Sequence, residues 1–230
     1  MHRVKTALFA ATVGTLAMAA TAEAATVAIT PVKGCYLTGE SDTLSGAGYT
    51  PNGSVAIAVD GTTVFSLTAD ATGNIGTTLQ FGTMKAVKTH SLTATDAANP
   101  ALTATVSFVG TTHQVATRDS RGKPGKKVKL RGYGFLFGRK AYMHVNGHGI
   151  HTTTFLARPK APCGTFSVKK KLVRKGAPIG KYKVQFDARK KFSKKTQPRL
   201  VYPLTVFPVA SGASAFAGVA LNQAWTKLAR

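Results

Sequence analysis

Gly39, Gly46, Gly48 and Gly61 recur 86 residues later as Gly125, Gly132, Gly134 and Gly147, with Tyr49 answered by Phe135 and Asp60 by Asn146. Farther on, TGNI at Thr72 matches CGTF at Cys163, and SLTATDA ending at Ala97 matches YKVQFDA ending at Ala188, both at a separation of 91. Self-similarity of this length means that one domain is present twice. TTHQ, beginning at Thr111, is the expected junction.

Each copy reads as β-structure. GSVAIAV, GTTLQF, HSLTATD and TATVSFV in the first copy, and KKVKLRG, AYMHV, GTFSVKKK, KYKVQFD and VYPLTVF in the second, alternate polar with β-branched or aromatic residues. Pro-Asn-Gly, Asp-Gly and Asn-Gly lie between them, residue types that tolerate the positive φ of tight hairpin turns. About seven strands in about 90 residues suits an immunoglobulin-like sandwich. The expected fold is all-β: two tandem immunoglobulin-like β-sandwiches at 25–112 and 113–208, followed by a tail at 209–230.

Residues 1–24 are set apart as a cleaved signal peptide. Arg3 and Lys5 precede the short apolar run ALFAATVGTLAMAA, and Ala22 to Ala24 offer small residues for cleavage. The run is shorter than the roughly 20 residues that a spanning helix needs. Secretion or attachment to the cell envelope is therefore the expected address.

Charge separates the two copies. Residues 25–112 carry three lysines against five carboxylates, a net of −2, whereas residues 113–230 carry 26 Lys and Arg against Asp119 and Asp187, a net of +24. With +1 from the first 24 residues these give the total of +23. Lys127, Lys129 and Arg131, then Lys169 and Lys171, then Lys181 and Lys183 sit at alternating positions, so each set projects from one side of its strand. Arg174, Lys175, Arg189, Lys190, Lys191, Lys194 and Lys195 add loop clusters, and together these residues are expected to make one wide anion-binding surface.

The stretch VAITPVKGCYLTGESDTLSGAGYTPNGSVAIAVDG, followed by TADATGNI, resembles the Ig-like repeats of secreted actinobacterial proteins and, more distantly, the single Ig-like domain of neocarzinostatin-type apoproteins. RGYGFLFGRKAYMHV, PCGTFSVKKKL and GKYKVQFDA look like a divergent partner repeat. The resemblance covers roughly 26–208 and implies the fold and an exported address. It does not imply the neocarzinostatin ligand pocket, because that group's pair of intradomain disulfides has no counterpart here.

Other motifs point less far. GYGFLFG is not a phosphate loop: a strand pattern, not a helix, follows it, and Gly132, Gly134 and Gly138 are read as bulge and turn residues. His144, His148 and His151 straddle Asn146-Gly147, where a hairpin brings imidazoles together, which makes them a weak zinc or copper candidate. No Asp or Glu lies between Asp119 and Asp187 to orient such a site, so exposed strand and turn histidines are expected. Cys35 and Cys163 fall in different copies. A bridge between domains, a bridge between chains, or two free thiols are all open to them; the first would be worth on the order of 4 to 5 kcal/mol in the chain-entropy model.

No nucleophile elbow, carboxylate pair or H-E-x-x-H occurs in the basic half, so neither catalysis nor a cofactor is expected. Tyr133, Phe135 and Phe137 alternate like core residues, which argues against base stacking. From Phe216 onward, Ala217, Leu221, Trp225 and Leu228 share one helical arc. The tail is thus read as a short amphipathic helix or an undocked segment, with peripheral membrane contact through Trp225 as its functional reading. Expected partners are an anionic envelope polymer or surface and, non-specifically, extracellular nucleic acid. The competing readings are a metal-binding or hydrolytic protein built on the histidines, and a spacer whose charge is incidental.

Overall fold

The computed structural model describes residues 24–117, 121, 122, 124–209 and 216–221. The first sandwich is built from β1 (Thr26–Thr30), β2 (Tyr36–Leu37), β3 (Ser41–Ala47), β4 (Ser54–Val59), β5 (Thr62–Thr68), β6 (Ile75–Gln80), β7 (Lys88–Asp96) and β8 (Thr103–Thr111). The second is built from β9 (Gln114–Thr117), β10 (Arg121–Gly122), β11 (Lys127–Tyr133), β12 (Ala141–Gly147), β13 (Ile150–Ala157), β14 (Phe166–Lys171), β15 (Gly180–Asp187), β16 (Leu200–Val209) and β17 (Phe216–Leu221).

Strand order carries the repeat into three dimensions. The sheets β1-β3-β6 and β8-β7-β4-β5 in the first sandwich correspond to β9-β11-β14 and β16-β15-β12-β13 in the second. A three-stranded sheet facing a four-stranded one in this order is an immunoglobulin-like arrangement. β2 extends the first large sheet by pairing parallel with β8, and β17 and β10 extend the second beyond β16.

Alternation fills the two cores. Leu44, Val55, Ile57, Leu92 and Ala94 are fully enclosed in the first; Leu130, Ala141, Met143, Val145, Val184 and Leu204 are enclosed or nearly so in the second. Leu44 and Leu130, like Ile57 and Met143, stand 86 residues apart, so the same inward positions are filled twice. Each such side chain contributes about 1.5–3 kcal/mol on burial.

Register corrects the sequence alignment at one point. Ile57 pairs with Ala94 and Met143 with Phe186, which makes the β7-to-β15 separation 92 and not 91. The Asp-Ala pair common to both copies suggests 91, yet a one-residue slip exchanges the two faces of a strand. Asp96 and Asp187 are accordingly not equivalent. Asp96 accepts hydrogen bonds from the amides of Thr50, Ala98 and Asn99, while Asp187 stands on the outer face of β15.

Three further expectations change. Gly132 is not in a bulge: it pairs regularly with Phe166, whose ring fills the place a Cβ would take. The hairpin between β12 and β13 turns at His148-Gly149, both at positive φ, rather than at Asn146-Gly147, which remains paired. Phe216–Leu221 forms β17 against β16 instead of opening a helix. A helix this short is marginal on its own, whereas the edge of β16 offers a ready row of backbone partners. Residues 1–23 of the expected signal peptide and residues 222–230, including Trp225, lie outside the described residues.

The two sandwiches are joined twice. Only residues 112 and 113 separate β8 from β9, and Cys35 and Cys163 form a disulfide with both thiols' positions buried. Gly34 makes the approach feasible, since a Cβ there would stand 3.2 Å from the Pro162 Cβ.

Candidate anion-binding surface

The basic residues do not make one surface. Lys127 and Lys129 on β11 stand directly opposite Lys171 and Lys169 on β14, with Arg131 opposite Ser167, all on the outer face of the three-stranded sheet. Lys181 and Lys183 project from β15 in the other sheet. Outer faces of packed sheets point away from each other, so a lysine ladder and a second cationic face lie on opposite sides of the sandwich. Lys190, Lys191, Lys194 and Lys195 are exposed in the β15–β16 loop and belong to the second face. None of these lysines has an ion-pair partner among the described residues.

The ladder has a neutral counterpart. At the equivalent places the first sandwich pairs Ser41 with Gln80 and Thr43 with Thr78. Identical registers therefore carry hydroxyls and an amide in one copy and four ammonium groups in the other. Like charges directly opposite each other on adjacent strands are destabilising, by roughly 0.2–1 kcal/mol per pair. The fold does not require this ladder; it bears it.

The histidines are not brought together. His144 is fully buried: its Nε2 faces two acceptors, the Arg189 carbonyl at 3.0 Å and Asp187 Oδ1 at 3.3 Å, so this nitrogen carries a proton, and Nδ1 is hydrogen-bonded to the Thr153 hydroxyl at 2.9 Å. Both nitrogens are engaged by partners within the sandwich. His148 leans on Tyr182 and His151 on Phe192. No group of three potential ligands occurs among the described residues. Burial of His144 corrects the expectation of an exposed strand histidine: β12 and β15 bring Asp187 to it from 43 residues away.

Asp187 is held by its neighbours through both oxygens. Oδ1 also accepts the Arg189 amide at 2.8 Å, and Oδ2 accepts the Gln185 side chain at 2.6 Å. Gln185 in turn donates to the Ser193 carbonyl, and Phe192 packs over His144. These bonds hold the β15–β16 loop down on the outer face of its sheet. Of the three aromatics near the junction, Phe135 belongs to the core, Tyr133 is half-buried and Phe137 is 56% exposed.

One grouping that sequence reasoning missed lies beneath that loop. Residues Lys181, Lys183, Phe192, Lys194, Arg199 and Val201 line an open groove of about 790 Å³ along β15 and β16. The only forewarning in the sequence is the longer connection: 14 positions separate Phe186 from its partner Leu200, against 10 between the equivalent Ala94 and Ala104.

No protein-family model matches the chain. No curated protein matches it either. Among solved structures, it is similar to trypsin-activated alpha-2-macroglobulin from Escherichia coli, at 10% identity and TM-score 0.37, over 81% of this chain and 19% of that one. It is also similar to a tetra-tandem repeat in the extending region of a large adhesion protein, at 16% identity and TM-score 0.32, over 88% of this chain and 63% of that one. A third, from Corynebacterium diphtheriae and described as membrane anchored, aligns at 11% identity and TM-score 0.34, over 87% and 57%. The chain spans less than two thirds of each of these chains. Likeness at this level carries no partner or activity across.

Proposed function

We propose that the protein is an exported or envelope-associated, non-catalytic module that attaches to anionic polymers through its basic second sandwich, with the first sandwich as a neutral spacer. The observation that carries this reading is the ladder of Lys127, Lys129, Lys169 and Lys171, set face to face in a register whose counterpart is neutral. Such a surface draws polyanions by releasing their counterions, with affinity that falls steeply with salt. Teichoic or teichuronic polymers fit the exported address, and extracellular nucleic acid would bind without sequence preference.

A spacer with incidental charge is the rival reading. Lysines on an edge strand blunt aggregation, and β14 is an edge strand. β11, however, lies at the centre of its sheet between β14 and β9, so edge protection does not account for Lys127 and Lys129. The test replaces the ladder with the first copy's residues, Lys127→Ser, Lys129→Thr, Lys169→Thr and Lys171→Gln, in the full chain. Retention on a teichoic-acid column across a salt series is expected to lose about three from the slope of log K against log salt. An unchanged slope would return the charge to solvation.

A further inference from the structure

Arg199 is half-buried and forms no ion pair among the described residues. Its Nε and Nη1 are enclosed and hydrogen-bond no described group, although it lines the groove beneath the β15–β16 loop. Buried polar groups in native proteins are almost always satisfied, and buried guanidinium groups more so. The carboxylate opposite it on β15, Asp187, makes no ion pair with it, and accepts instead from His144, Arg189 and Gln185. Lys181, Lys183 and Lys194 add three ammonium groups around the same groove.

The first sandwich shows what this face looks like without a site. There Thr93 pairs with Thr105 and Thr95 with Thr103 through their hydroxyls, at 3.0 and 2.9 Å, which leaves a closed, self-satisfied surface. By strand register the equivalent positions in the second sandwich are Gln185 and Val201, then Asp187 and Arg199. Val201 remains 45% exposed, and the longer loop supplies Phe192 and Lys194 as one wall.

We propose that this groove binds one acidic sugar residue of an anionic glycan, whose carboxylate or phosphate draws the Arg199 guanidinium out of its unbonded position, with Lys181, Lys183 and Lys194 around it. The inference rests on the reading above for the class of polymer and adds a defined subsite to it. A planar guanidinium matches carboxylate and phosphate alike. The volume suits a sugar ring and exceeds what a bare anion fills. Val201, Pro203 and Phe192 give the ring's C–H face an apolar floor and wall. Nucleic acid fits less well, because base stacking needs several aromatic platforms and Phe192 is already engaged by His144 and His151.

The test titrates the full chain by calorimetry with a glucuronate tetrasaccharide in one arm and an N-acetylglucosamine 1-phosphate tetramer in the other. A salt concentration of about 0.3 M suppresses diffuse attraction. Wild-type protein is expected to bind one of the two at unit stoichiometry, and Arg199→Lys, which keeps the charge, to weaken it at least about tenfold. Val201→Trp, at an exposed position on the floor, should block binding while leaving the thermal midpoint unchanged, so that a folding defect in the Arg199 variant cannot mimic the result. Failure of both oligomers to bind the wild type, or equal binding by wild type and Arg199→Lys, overturns the proposal. Low-salt retention on the polymer column is read alongside: if it persists and depends on the ladder while oligomer binding fails, only the subsite is lost and the wider reading stands.

Discussion

At the scale of single residues, two histidines show how burial and register decide what an imidazole does. His144 ties three segments, donating from Nε2 toward Asp187 and Arg189 and bonding through Nδ1 to Thr153. Replacing it with alanine removes those bonds and opens a void under Phe192. The expected cost is about 2–4 kcal/mol in denaturant unfolding, with the metal content of the purified protein unchanged. His113, packed against Phe135 at the junction, has its pKa lowered by burial from 6.5 to about 4. Its neutral form is favoured by folding, so its contribution is complete above pH 6.5 and is lost as pH falls through about 4, amounting to about 3 kcal/mol at most. Asp70 and Asp96, held at about 2 mainly by the amides of Asn74 and Thr50 respectively, lose their contributions only below about pH 4. Stability measured between pH 4 and 7 should therefore slope upward in the wild type and flatten in His113→Gln. A slope that the substitution leaves intact would assign it to other groups.

At the scale of elements, strand packing accounts for what was legible and what was not. Alternation and turn glycines are local signals, so the sandwiches and the repeat could be read directly from runs such as KKVKLRG and AYMHV. The offset between β7 and β15 could not, because the shared Asp-Ala pair favours 91 where pairing of Met143 with Phe186 requires 92. Exposed faces inherit that error, which is why the groove and the partner of His144 were invisible. The split of the lysines into two faces was hidden for a similar reason: alternation shows that a set shares a side, and only sheet membership shows which side. Gly132 gives an element-scale prediction. Alanine there meets the Phe166 ring, and relief must come from shifting β14 against β11. A loss of about 1–3 kcal/mol is expected, with the larger sheet's slow-exchanging amides less affected than those of β11 and β14 in hydrogen exchange.

At the scale of the whole molecule, the two copies are one scaffold with different charge, and a disulfide between Cys35 and Cys163 fastens them beyond the short connection at 112 and 113. Thiol titration of the denatured, unreduced protein should find none. Closing a chain across 128 residues is worth about 5 kcal/mol in the entropy model, so Cys35→Ser with Cys163→Ser should lower the thermal midpoint and separate the unfolding of the two sandwiches. The scaffold's neutral copy also supplies the control that the functional reading needs. Net charge and charge placement are separable: the ladder substitutions and a second variant, Lys140→Gln, Arg158→Gln, Lys160→Gln and Lys175→Gln, each remove four from the same +23. The deciding measurement is the salt dependence of binding to an anionic wall polymer for the two variants side by side. The ladder variant is expected to lose most of the affinity and slope while the charge-matched variant keeps both nearly intact. Equal losses would mean that total charge, and not the face built by β11 and β14, governs attachment.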